Sequence, residues 1–529
     1  MSNLKRKILW IDDEIELLRP HIILLEQRGY EVLTSTNGID ALEIIKKNNI
    51  DLVFLDEMMV GMTGLETLSQ IKDLDSEIPV IMATKNETES LMEEAIGYKI
   101  NDYLTKPINP TQVLLACKKF LDAERIGKEK FTQDYLSGFS RLSARMLSPL
   151  NWYEWREIYN TLVNWSLELD KINDIGLQET LSGKWRECNL EFSKFIENNY
   201  VKWLNHKDNA RDDNNPIMSP HILDYYLTPV LKEQKNNIFF IVIDCLRFDQ
   251  WMVLREMLAP FYTFETNLYC SILPTATPYA RNSLFAGLYP IDIKKYYPQY
   301  WNVDSNSEDH KQNAFEKELL EAWLKRHNFE HSKKMSFIKI FDTDYGKKIE
   351  REFDKYMQND LTAIVINAVD MIAHSRSDHA ILKEIAPDES AYRLLTRSWF
   401  MYSSLFSILK TISKSKDAKV LITTDHGSIR CMRGIKVLGD KDTSTNLRYK
   451  FGKNVNSEGK GTLQMTDPTL FKLPKTNGIT VSNLFATEDY YFVYPTDYHY
   501  YITKFRDSFQ HGGISLEEMI IPFVKLEPK

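Results

Sequence analysis

The stretch that decides the fold of the longer part of this chain reads Val420-Leu421-Ile422-Thr423-Thr424-Asp425-His426-Gly427-Ser428. Its apolar run is typical of a buried strand, and the run ends in adjacent aspartate and histidine residues. In α/β proteins, ligands and metals lie at the carboxyl ends of the strands. The pair therefore suits two metal ligands, and we expect Gly427 to let the backbone turn sharply. A solvated turn after a buried strand would have the same sequence.

Three further segments deliver side chains of the same types. The apolar run 238–243 ends at Asp244, and the run 363–367 leads into Asp370 and His374, which fall on one face of a helical turn. His511 lies on a glycine-flanked loop before the closing apolar run. Acid–histidine pairs at any one spacing arise easily by chance. Asp370 and His374 are stronger candidates for metal ligands because they follow a predicted core strand, and other predicted strands of the chain also end in aspartate or histidine.

A rigid loop, Pro274-Thr275-Ala276-Thr277-Pro278, precedes a predicted helix. A hydroxyl at a helix N-terminus faces the positive end of the helix dipole, which suits an anion or a nucleophile that handles one. A threonine hydroxyl is too weakly acidic to attack unaided, but direct coordination to a divalent metal would activate it.

Together these segments predict two metal ions at one edge of the effector sheet. Mixed carboxylate and imidazole ligands suit Zn²⁺, with Mn²⁺ as the second choice. The set is too large for one tetrahedral ion, and paired metals are a recurrent device for in-line displacement at phosphorus. The candidate ligands are Asp244, Thr277, Asp370, His374, Asp425, His426 and His511.

The first 124 residues alternate strands and helices, which predicts a doubly wound, flavodoxin-like parallel sheet. The predicted strands span residues 7–11, 31–34, 51–55, 79–83 and 102–104, with helices after Glu14 and over 38–47. Asp12, Asp13 and Asp56 follow neighbouring strands, and three crowded carboxylates favour a hard cation such as Mg²⁺. Asp56 is the candidate nucleophile toward a phosphoryl donor.

This first domain resembles the receiver domains of two-component systems. The acid pair, the phosphoacceptor Asp56, the switch residues Thr84, Tyr103 and Lys106, and Pro107 after them stand in the family's order. The resemblance adds Met58 to the magnesium ligands and implies a sensor histidine kinase as partner. Val60 replaces the proline that is usual there, and Lys85 stands where a small residue is usual.

Residues 125–215 read as a helical module and linker with helices over 127–147, from a capping box at Asn151, and over 177–204. The tryptophans of these helices could stack on bases, but their helical spacing favours packing in a core. The module could transmit a signal or dimerise, and the sequence does not choose between the two.

Residues 216–529 resemble the PglZ branch of the alkaline phosphatase superfamily. The segment 274–290 also aligns without a gap with the nucleophile segment of nucleotide pyrophosphatases/phosphodiesterases, and that alignment favours Thr277 over Thr275 as the nucleophile. Tyr279-Ala280-Arg281 departs from that branch. The resemblance places Asp244, Thr277, Asp425 and His426 on one Zn²⁺ and Asp370, His374 and His511 on the other. It implies that Thr277 attacks phosphorus and that water then hydrolyses the phosphothreonine.

The whole chain resembles the PorX-type response regulators. The resemblance implies a phosphodiesterase that acts on cyclic or linear oligonucleotides, dimerises on phosphorylation and serves type IX secretion, with a sigma factor or a secretion protein as further partner. Within the enzyme class, a monoesterase or phosphomutase also fits the ligands. The alternative is a non-catalytic signalling adaptor whose metal domain binds a regulator or secretion component.

Two insertions, about residues 288–360 and 428–505, are the predicted seat of substrate choice. The run 445–453 interleaves cations with aromatics and can bind a phosphate backbone and stack bases, or form an exposed strand with solvated lysines. Arg281, Arg448 and Lys450 are the candidate substrate-binding residues. A tyrosine group could line the same cleft or pack within strands: Tyr490, Tyr491, Tyr498, Tyr500 and Tyr501.

Composition limits the compartment and the partners. The net charge of −8 excludes a general polyanion binder. Five scattered cysteines without a CxxC pair argue against a disulfide framework and for a reducing compartment. The N-terminus is not a signal peptide, and no apolar stretch approaches the roughly 18 residues of a membrane span. We expect a cytoplasmic protein without membrane insertion.

Overall fold

The computed structural model describes residues 5–85, 100–172, 174–205, 215–233, 237–302, 313–329, 334–439, 446–457, 459–475 and 482–529. The chain divides into two compact units, Met1–Ser143 and Ala144–Lys529. Among the described residues, no helix is long and apolar enough to cross a membrane. All five cysteines are buried and free.

The first unit is built on a five-stranded parallel sheet in the order β2-β1-β3-β4-β5. The strands are β1 (Lys7–Ile11), β2 (Glu31–Ser35), β3 (Leu52–Asp56), β4 (Val80–Thr84) and β5 (Asp102–Thr105). Alternate residues of β1 enter two separate cores, Ile8 and Trp10 on one face and Leu9 and Ile11 on the other. Burial of both faces explains the unbroken apolar runs, and the predicted flavodoxin-like fold is confirmed.

Helices cover the two faces of this sheet. They are Arg19–Gln27, Gly38–Lys47, Gly64–Leu74 and Pro110–Cys117, with a 3₁₀ turn at Ile15–Leu18 and a π-helical turn at Lys118–Asp122. The first helix begins later than predicted because Pro20 stands in its first turn, where its missing N–H costs nothing.

Three long helices follow: Ala123–Arg145, Trp152–Ile172 and Ile175–Asn205. The predicted capping box is present, since Asn151 Oδ1 accepts from the Glu154 amide and Glu154 Oε2 accepts from the Asn151 amide, both at 2.9 Å. Trp155 is buried with its ring 5.4 Å from that of Phe192, so it packs in a core. The last two helices lie within the second unit, and the boundaries at residues 124 and 215 remain predictions.

The described residues of the second unit form one large sheet and three small ones. Its strands are β6 (Ile238–Ile243), β7 (Tyr262–Cys270), β8 (Met335–Ile340), β9 (Leu361–Ile366), β10 (Lys419–Thr423), β11 (Ile429–Cys431), β12 (Arg433–Leu438), β13 (Tyr449–Gly452), β14 (Asn456–Ser457), β15 (Thr462–Met465), β16 (Ser482–Ala486), β17 (Tyr490–Val493), β18 (Ser508–Gln510) and β19 (Ile520–Pro528). The large sheet has the order β7-β19-β10-β6-β9-β8.

Four adjacent strands of the large sheet, β10, β6, β9 and β8, run parallel to one another, whereas β19 runs antiparallel to both of its neighbours, β10 and β7. The parallel register aligns Thr423 with Val242, and Val242 with Val365. The residues that follow β6, β9 and β10 therefore emerge at one edge. The small sheets, β11-β18, β14-β12-β17 and β13-β16-β15, build the insertion that starts near residue 428.

The helices of the second unit surround this sheet. Beyond the two long helices, the α-helices are Thr228–Glu233, Phe248–Leu258, Thr277–Ala286, Pro290–Tyr296, Glu316–Arg326, Thr343–Arg351, Ala368–Asp378, Ala380–Ile385, Glu389–Met401, Ser404–Ile412, Tyr498–Phe505 and Leu516–Met519. Shorter turns are Ser219–His221, Leu223–Leu227, Pro298–Tyr300, Phe353–Gln358 and Pro468–Phe471. The core on one face of the sheet buries Phe240, Leu284 and Trp323, which fixes the helix Thr277–Ala286 against β6.

Candidate active site

The acidic edge of the first unit brings three carboxylates together. Oxygen atoms of Asp12, Asp13 and Asp56 lie within 4.8 Å of one another. Lys106 Nζ lies 2.8 Å from Asp56 Oδ1 and 2.9 Å from Asp12 Oδ2. Burial raises the pKa of Asp56 and the charge of Asp12 adds to the rise, while Lys106 opposes it. A divalent cation would relieve this crowding of negative charge.

The remaining predicted receiver residues lie on β4, on β5 and just after β3. Thr84 ends β4, and its carbonyl accepts from the Lys106 amide at 2.8 Å. Tyr103 is 44% exposed on β5, and the Met58 side chain is 73% exposed, so only the Met58 backbone faces the carboxylate with a hydrogen bond to Asp56. The switch roles of Thr84 and Tyr103 and the magnesium-ligand role of Met58 stay predictions.

The first ligand cluster of the second unit combines residues from two neighbouring strands. Asp244 follows β6, and Asp425 and His426 follow β10, which pairs with β6 in parallel. Ligand atoms of all three lie within 4.8 Å of one another, and all three side chains are buried. The register of two strands therefore brings together residues about 180 positions apart in sequence.

The second cluster consists of Asp370 and His374 from the helix Ala368–Asp378 and of His511, which follows β18. His374 Nε2 and His511 Nε2 lie 3.3 and 3.5 Å from Asp370 Oδ1. The His511 ring stacks on that of His426 with centroids 4.2 Å apart. The two clusters are therefore immediate neighbours, and the structure brings all the predicted ligands to one place.

The donor set of the two clusters fits divalent cations. Asp370 Oδ1 is buried and, among the described residues, receives no hydrogen bond of good geometry although two imidazoles face it. Burial and the neighbouring His426 lower the pKa of His511 to about 3, so its imidazole is neutral and has a lone pair for a metal. Burial raises the pKa of Asp244, and the charges of Asp425 and Asp370 add to the rise although Arg281 opposes it. Bound cations would balance these carboxylates.

Thr277 begins the helix Thr277–Ala286 beside the first cluster. Its Oγ1 lies 3.0 Å from His426 Nε2 and donates to Asp244 Oδ1 at 3.5 Å. Thr275 is engaged elsewhere, because its hydroxyl donates to the Gly513 carbonyl at 2.9 Å and accepts from the Gly512 amide at 3.1 Å. The geometry therefore favours Thr277 as the reactive hydroxyl and gives Thr275 the role of holding the loop that carries His511.

Arg281 does not face a substrate site as predicted. Its guanidinium is fully buried, donates from Nε to Asp425 Oδ2 at 3.0 Å and pairs with Asp244 and with Glu316. Arg281 lies one helical turn after Thr277 and therefore points at the same carboxylates. Glu316, which also pairs with Lys339 at 2.6 Å, was not predicted, since nothing in its local sequence marks it.

The prediction for Arg448 is also wrong. Arg448 is fully buried, and its guanidinium donates two hydrogen bonds to Glu518. Glu518 Oε1 in turn accepts from the Gly513 amide at 2.9 Å. Arg448 therefore stabilises the loop after His511 and has no face open to a ligand.

For Lys450 and the tyrosine group, the structure favours cavity lining at some positions and strand packing at others. Lys450 is only 1% exposed, which excludes the solvated-lysine alternative at this position, and it lines a cavity beside His374. Tyr491 is buried in β17, as strand packing predicts, whereas Tyr501 lies on the helix Tyr498–Phe505 and lines the cavity. Thr445, the first residue of the predicted run 445–453, lies outside the described residues.

Two contacts at the site could not be read from the sequence. A side chain at Gly427 would overlap the carbonyl oxygen of Glu517, so glycine is required by close approach and not by the sharp turn that we expected. Asn189 of the helix Ile175–Asn205 accepts from the Leu516 amide at 2.8 Å and donates to Glu517 Oε2 at 3.0 Å. The helical segment therefore supports the loop that carries His511.

Three protein-family models match successive parts of the chain. A family model of the BREX system PglZ alkaline phosphatase-like domain matches residues 222–526, which is more than half of the chain. Models of the response regulator receiver domain and the PorX response regulator linker domain match residues 8–118 and 125–204. The chain belongs to the PorX-type response regulators.

Individual relatives of this PorX-type regulator match only part of it. The transcriptional regulatory protein ZraR of Klebsiella oxytoca is 33% identical over 28% of this chain and 34% of its own length. The uncharacterized transcriptional regulatory protein YkoG of Bacillus subtilis is 36% identical over 21% of this chain and 48% of its own. The chain thus spans less than half the length of these two relatives. The solved chemotaxis protein CheY4 of Vibrio cholerae is 28% identical, covers 22% of this chain and all of its own, and gives a TM-score of 0.22.

Family membership fixes the general chemistry. A receiver domain implies phosphorylation by a sensor kinase, and both receiver and alkaline phosphatase-like domains generally bind divalent metals. Among the described residues of the PorX-type regulator, the three clusters of aspartate and histidine side chains are the places that could hold such ions.

Proposed function

We propose that the effector domain is a two-zinc phosphodiesterase that uses Thr277 as its nucleophile and cleaves cyclic or linear oligonucleotide-type diesters. The observation that carries the proposal is the contact of Thr277 Oγ1 with His426 Nε2 at 3.0 Å, beside two adjoining ligand clusters. Asp244, Thr277, Asp425 and His426 would hold one ion, and Asp370, His374 and His511 the other. When bound, the two ions would lower the pKa of the threonine hydroxyl and stabilise charge on the phosphoryl oxygens.

The side chains of the chain account for the steps of cleavage. Thr277 Oγ1 loses its proton and forms a bond to phosphorus, while the bond from phosphorus to the departing alcohol breaks and that alcohol takes up a proton. Water then attacks phosphorus, the bond to Oγ1 breaks, and the hydroxyl is regenerated. The N-terminus of the ten-residue helix Thr277–Ala286 lies at Thr277, so the positive end of the helix dipole would favour negative charge on the phosphoryl oxygens there.

The proposal predicts that the purified chain contains about two zinc ions and cleaves bis-p-nitrophenyl phosphate. Removal of the metal with a chelator is expected to stop cleavage, because no unaided hydroxyl near Thr277 is acidic enough to attack. Metal content by mass spectrometry and nitrophenol release are measured on the same preparation. A chain that is full of zinc and inert on every diester would leave the adaptor as the better account, with the metal domain acting only as a binding platform.

Phosphorylation of Asp56 by a sensor histidine kinase is the proposed control of the effector. Asp56 touches Lys106 at 2.8 Å, so a phosphoryl group would displace this contact and bias the switch residues Thr84 and Tyr103. Beryllofluoride with Mg²⁺ is expected to convert the chain into a homodimer in analytical ultracentrifugation. Asp56→Asn should remain insensitive. An unchanged sedimentation profile, with Asp56 shown to be modified, would contradict this control.

We infer a cytoplasmic role in signalling to type IX secretion, with a sigma factor or a secretion-system protein as the further partner. Support comes from the PorX linker match over residues 125–204 and from the five buried free thiols. Co-purification with and without beryllofluoride tests whether such a partner binds the activated form.

A further inference from the structure

The helix Ile175–Asn205 contacts two loops of the candidate active site, and the function proposed above gives this helix no role. One loop, residues 271–276, leads into Thr277 and is here termed the threonine loop. The other, residues 511–519, begins at His511 and is here termed the histidine loop. The PorX linker match extends through residue 204, so almost the whole helix belongs to the linker. A linker segment therefore lies against the loops that carry candidate reacting groups.

Asn189 holds the histidine loop through both ends of its side-chain amide. The side chain is buried, with 4% of its surface exposed. Its Oδ1 accepts from the Leu516 amide at 2.8 Å, and its Nδ2 donates to Glu517 Oε2 at 3.0 Å. One side chain of the linker therefore fixes both the backbone and a side chain of this loop.

The anchored end of the histidine loop packs directly against the first metal cluster. A Cβ at Gly427 would overlap the Glu517 carbonyl oxygen, and the Gly427 amide donates to the Glu518 carbonyl at 3.2 Å. The Gly427 carbonyl lies 3.1 Å from His426 Nδ1, and His426 Nε2 lies 3.0 Å from Thr277 Oγ1. Because close-packed groups transmit displacement, a shift of residues 517 and 518 would move the imidazole that contacts the threonine.

Tyr200 holds the threonine loop. Its side chain is buried, and its hydroxyl accepts from the Leu273 amide at 2.8 Å. The Tyr200 ring packs on that of Phe471 with centroids 5.0 Å apart, which restricts the movement of the phenol. Leu273 stands four residues before Thr277. Tyr200 therefore fixes the start of the loop that ends at the candidate nucleophile.

Both anchors lie on the same face of one helix. Asn189 and Tyr200 are eleven residues apart, which is close to three turns of an α-helix and about 16 Å along its axis. The two loops also contact each other, because the Thr275 carbonyl lies 3.3 Å from His511 Nδ1. A continuous helix with a fixed rise therefore sets where each loop stands relative to the other.

Packing alone does not require polar side chains at these two positions. Phe192 and Ile196 lie between the anchors and are fully buried, so an apolar face already packs there. A buried amide or hydroxyl costs free energy unless it is hydrogen-bonded. Asn189 and Tyr200 instead each accept from a backbone amide of a different active-site loop. The pattern favours a role in the placement of the loops.

We propose that Asn189 and Tyr200 are positioning residues of the phosphodiesterase, and that they form one linker clamp that sets the separation of Thr277 and His511. The inference rests on the proposed function and adds the part that the linker takes in it. Both side chains act through the loops, so their loss should disturb the alignment of the reacting groups more than substrate affinity. The expected signature is a lower kcat at a nearly unchanged KM.

The test measures kcat and KM for bis-p-nitrophenyl phosphate on the zinc-saturated full chain. Tyr200→Phe keeps the ring and removes only the hydroxyl. It is expected to lower kcat about tenfold and to change KM by less than about twofold, and Asn189→Leu is expected to do the same. If Asn189→Leu does not fold, Tyr200→Phe decides the role alone.

Two linker variants are matched controls for these substitutions. Tyr153→Phe changes a tyrosine that is 50% exposed on the helix Trp152–Ile172. Asn198→Leu changes an exposed asparagine whose side chain donates to the Lys194 carbonyl of its own helix. Both controls should keep the wild-type kcat.

The double variant Asn189→Leu with Tyr200→Phe tests whether the two residues act as one clamp. Positions this far apart without shared partners normally contribute independently, which would multiply the losses to about a hundredfold. A clamp fails when either end is released, so the double variant should lie within about twofold of the slower single variant. Multiplied losses would overturn the linker clamp, as would a wild-type kcat in zinc-saturated Tyr200→Phe.

Failure of the proposed function is a separate result, namely no cleavage by the wild-type chain. In that case the zinc affinity of the metal-free chain, measured by competition with a chromogenic chelator, tests the linker clamp. Groups that orient metal ligands contribute at least about tenfold to metal affinity. Zinc binding that is weaker by that factor in Tyr200→Phe and Asn189→Leu, but not in the controls, supports the clamp. Wild-type zinc affinity in either variant overturns it.

Discussion

Replacement of Thr277 by alanine is expected to lower phosphodiester cleavage by at least about a thousandfold while zinc content remains that of the wild-type chain. The hydroxyl of this side chain contacts the first cluster, through His426 Nε2 at 3.0 Å and Asp244 Oδ1 at 3.5 Å. The other candidate ligands of that cluster, Asp244, Asp425 and His426, are buried, lie with ligand atoms within 4.8 Å of one another and stay in the variant. The measurement is the initial rate on bis-p-nitrophenyl phosphate together with bound zinc.

Two serine variants serve as controls for this prediction. Thr277→Ser keeps the reactive hydroxyl and should retain measurable turnover. Thr275→Ser keeps the hydroxyl that joins the Gly513 carbonyl and the Gly512 amide, so it should leave the rate near that of the wild-type chain. An alanine variant that retains its zinc and more than about a tenth of the activity would show that Thr277 is not the nucleophile.

Gly427→Ala is expected to lower activity by about a hundredfold and stability by about 1–3 kcal/mol. The added Cβ would overlap the carbonyl oxygen of Glu517, and backbone cannot yield as a flexible side chain can. The Gly427 amide also donates to the Glu518 carbonyl at 3.2 Å, and the Gly427 carbonyl lies 3.1 Å from His426 Nδ1. Relief of the overlap therefore shifts the imidazole that Thr277 contacts. Activity and the midpoint of urea unfolding are measured.

Gly183→Ala is the matched control for the glycine variant. Gly183 lies inside the helix Ile175–Asn205, and a Cβ there meets no atom within 4 Å. Alanine in a helix interior is more favourable than glycine by about 1 kcal/mol, so this variant should be as stable as the wild-type chain or more so. If Gly427→Ala matched it in both activity and stability, the close packing of residues 427 and 517 would play no part in the site.

Sequence patterns were sufficient to place the candidate ligands Asp244 and Asp425 at the ends of strands. Asp244 and Asp425 each end an unbroken apolar run, and buried parallel strands bring such ends to one edge. The helical spacing of Trp155 likewise predicted its burial, because a periodic apolar face must pack on something. In each case a local sequence pattern identifies the strand or helix, and the regular geometry of that element then predicts where the side chain lies.

The sequence could not predict which distant charges pair. Arg281 and Arg448 look like ligand-binding cations in their local sequence, yet each is neutralised by a buried acid, Glu316 or Glu518, that no local pattern links to it. The role of Asn189 depends on a contact with Leu516 across more than 300 residues. Such contacts follow from tertiary packing, so they appear only in the folded chain.

The covalent path through Thr277 is tested most directly by the stereochemistry at phosphorus. A phosphorothioate diester of known handedness is hydrolysed by the zinc-loaded chain in isotopically labelled water, and the configuration of the product is determined by phosphorus nuclear magnetic resonance. Attack by Thr277 Oγ1 followed by attack of water inverts phosphorus twice, so the account predicts net retention. Net inversion would show that water attacks the diester in a single step and would contradict the role assigned to Thr277.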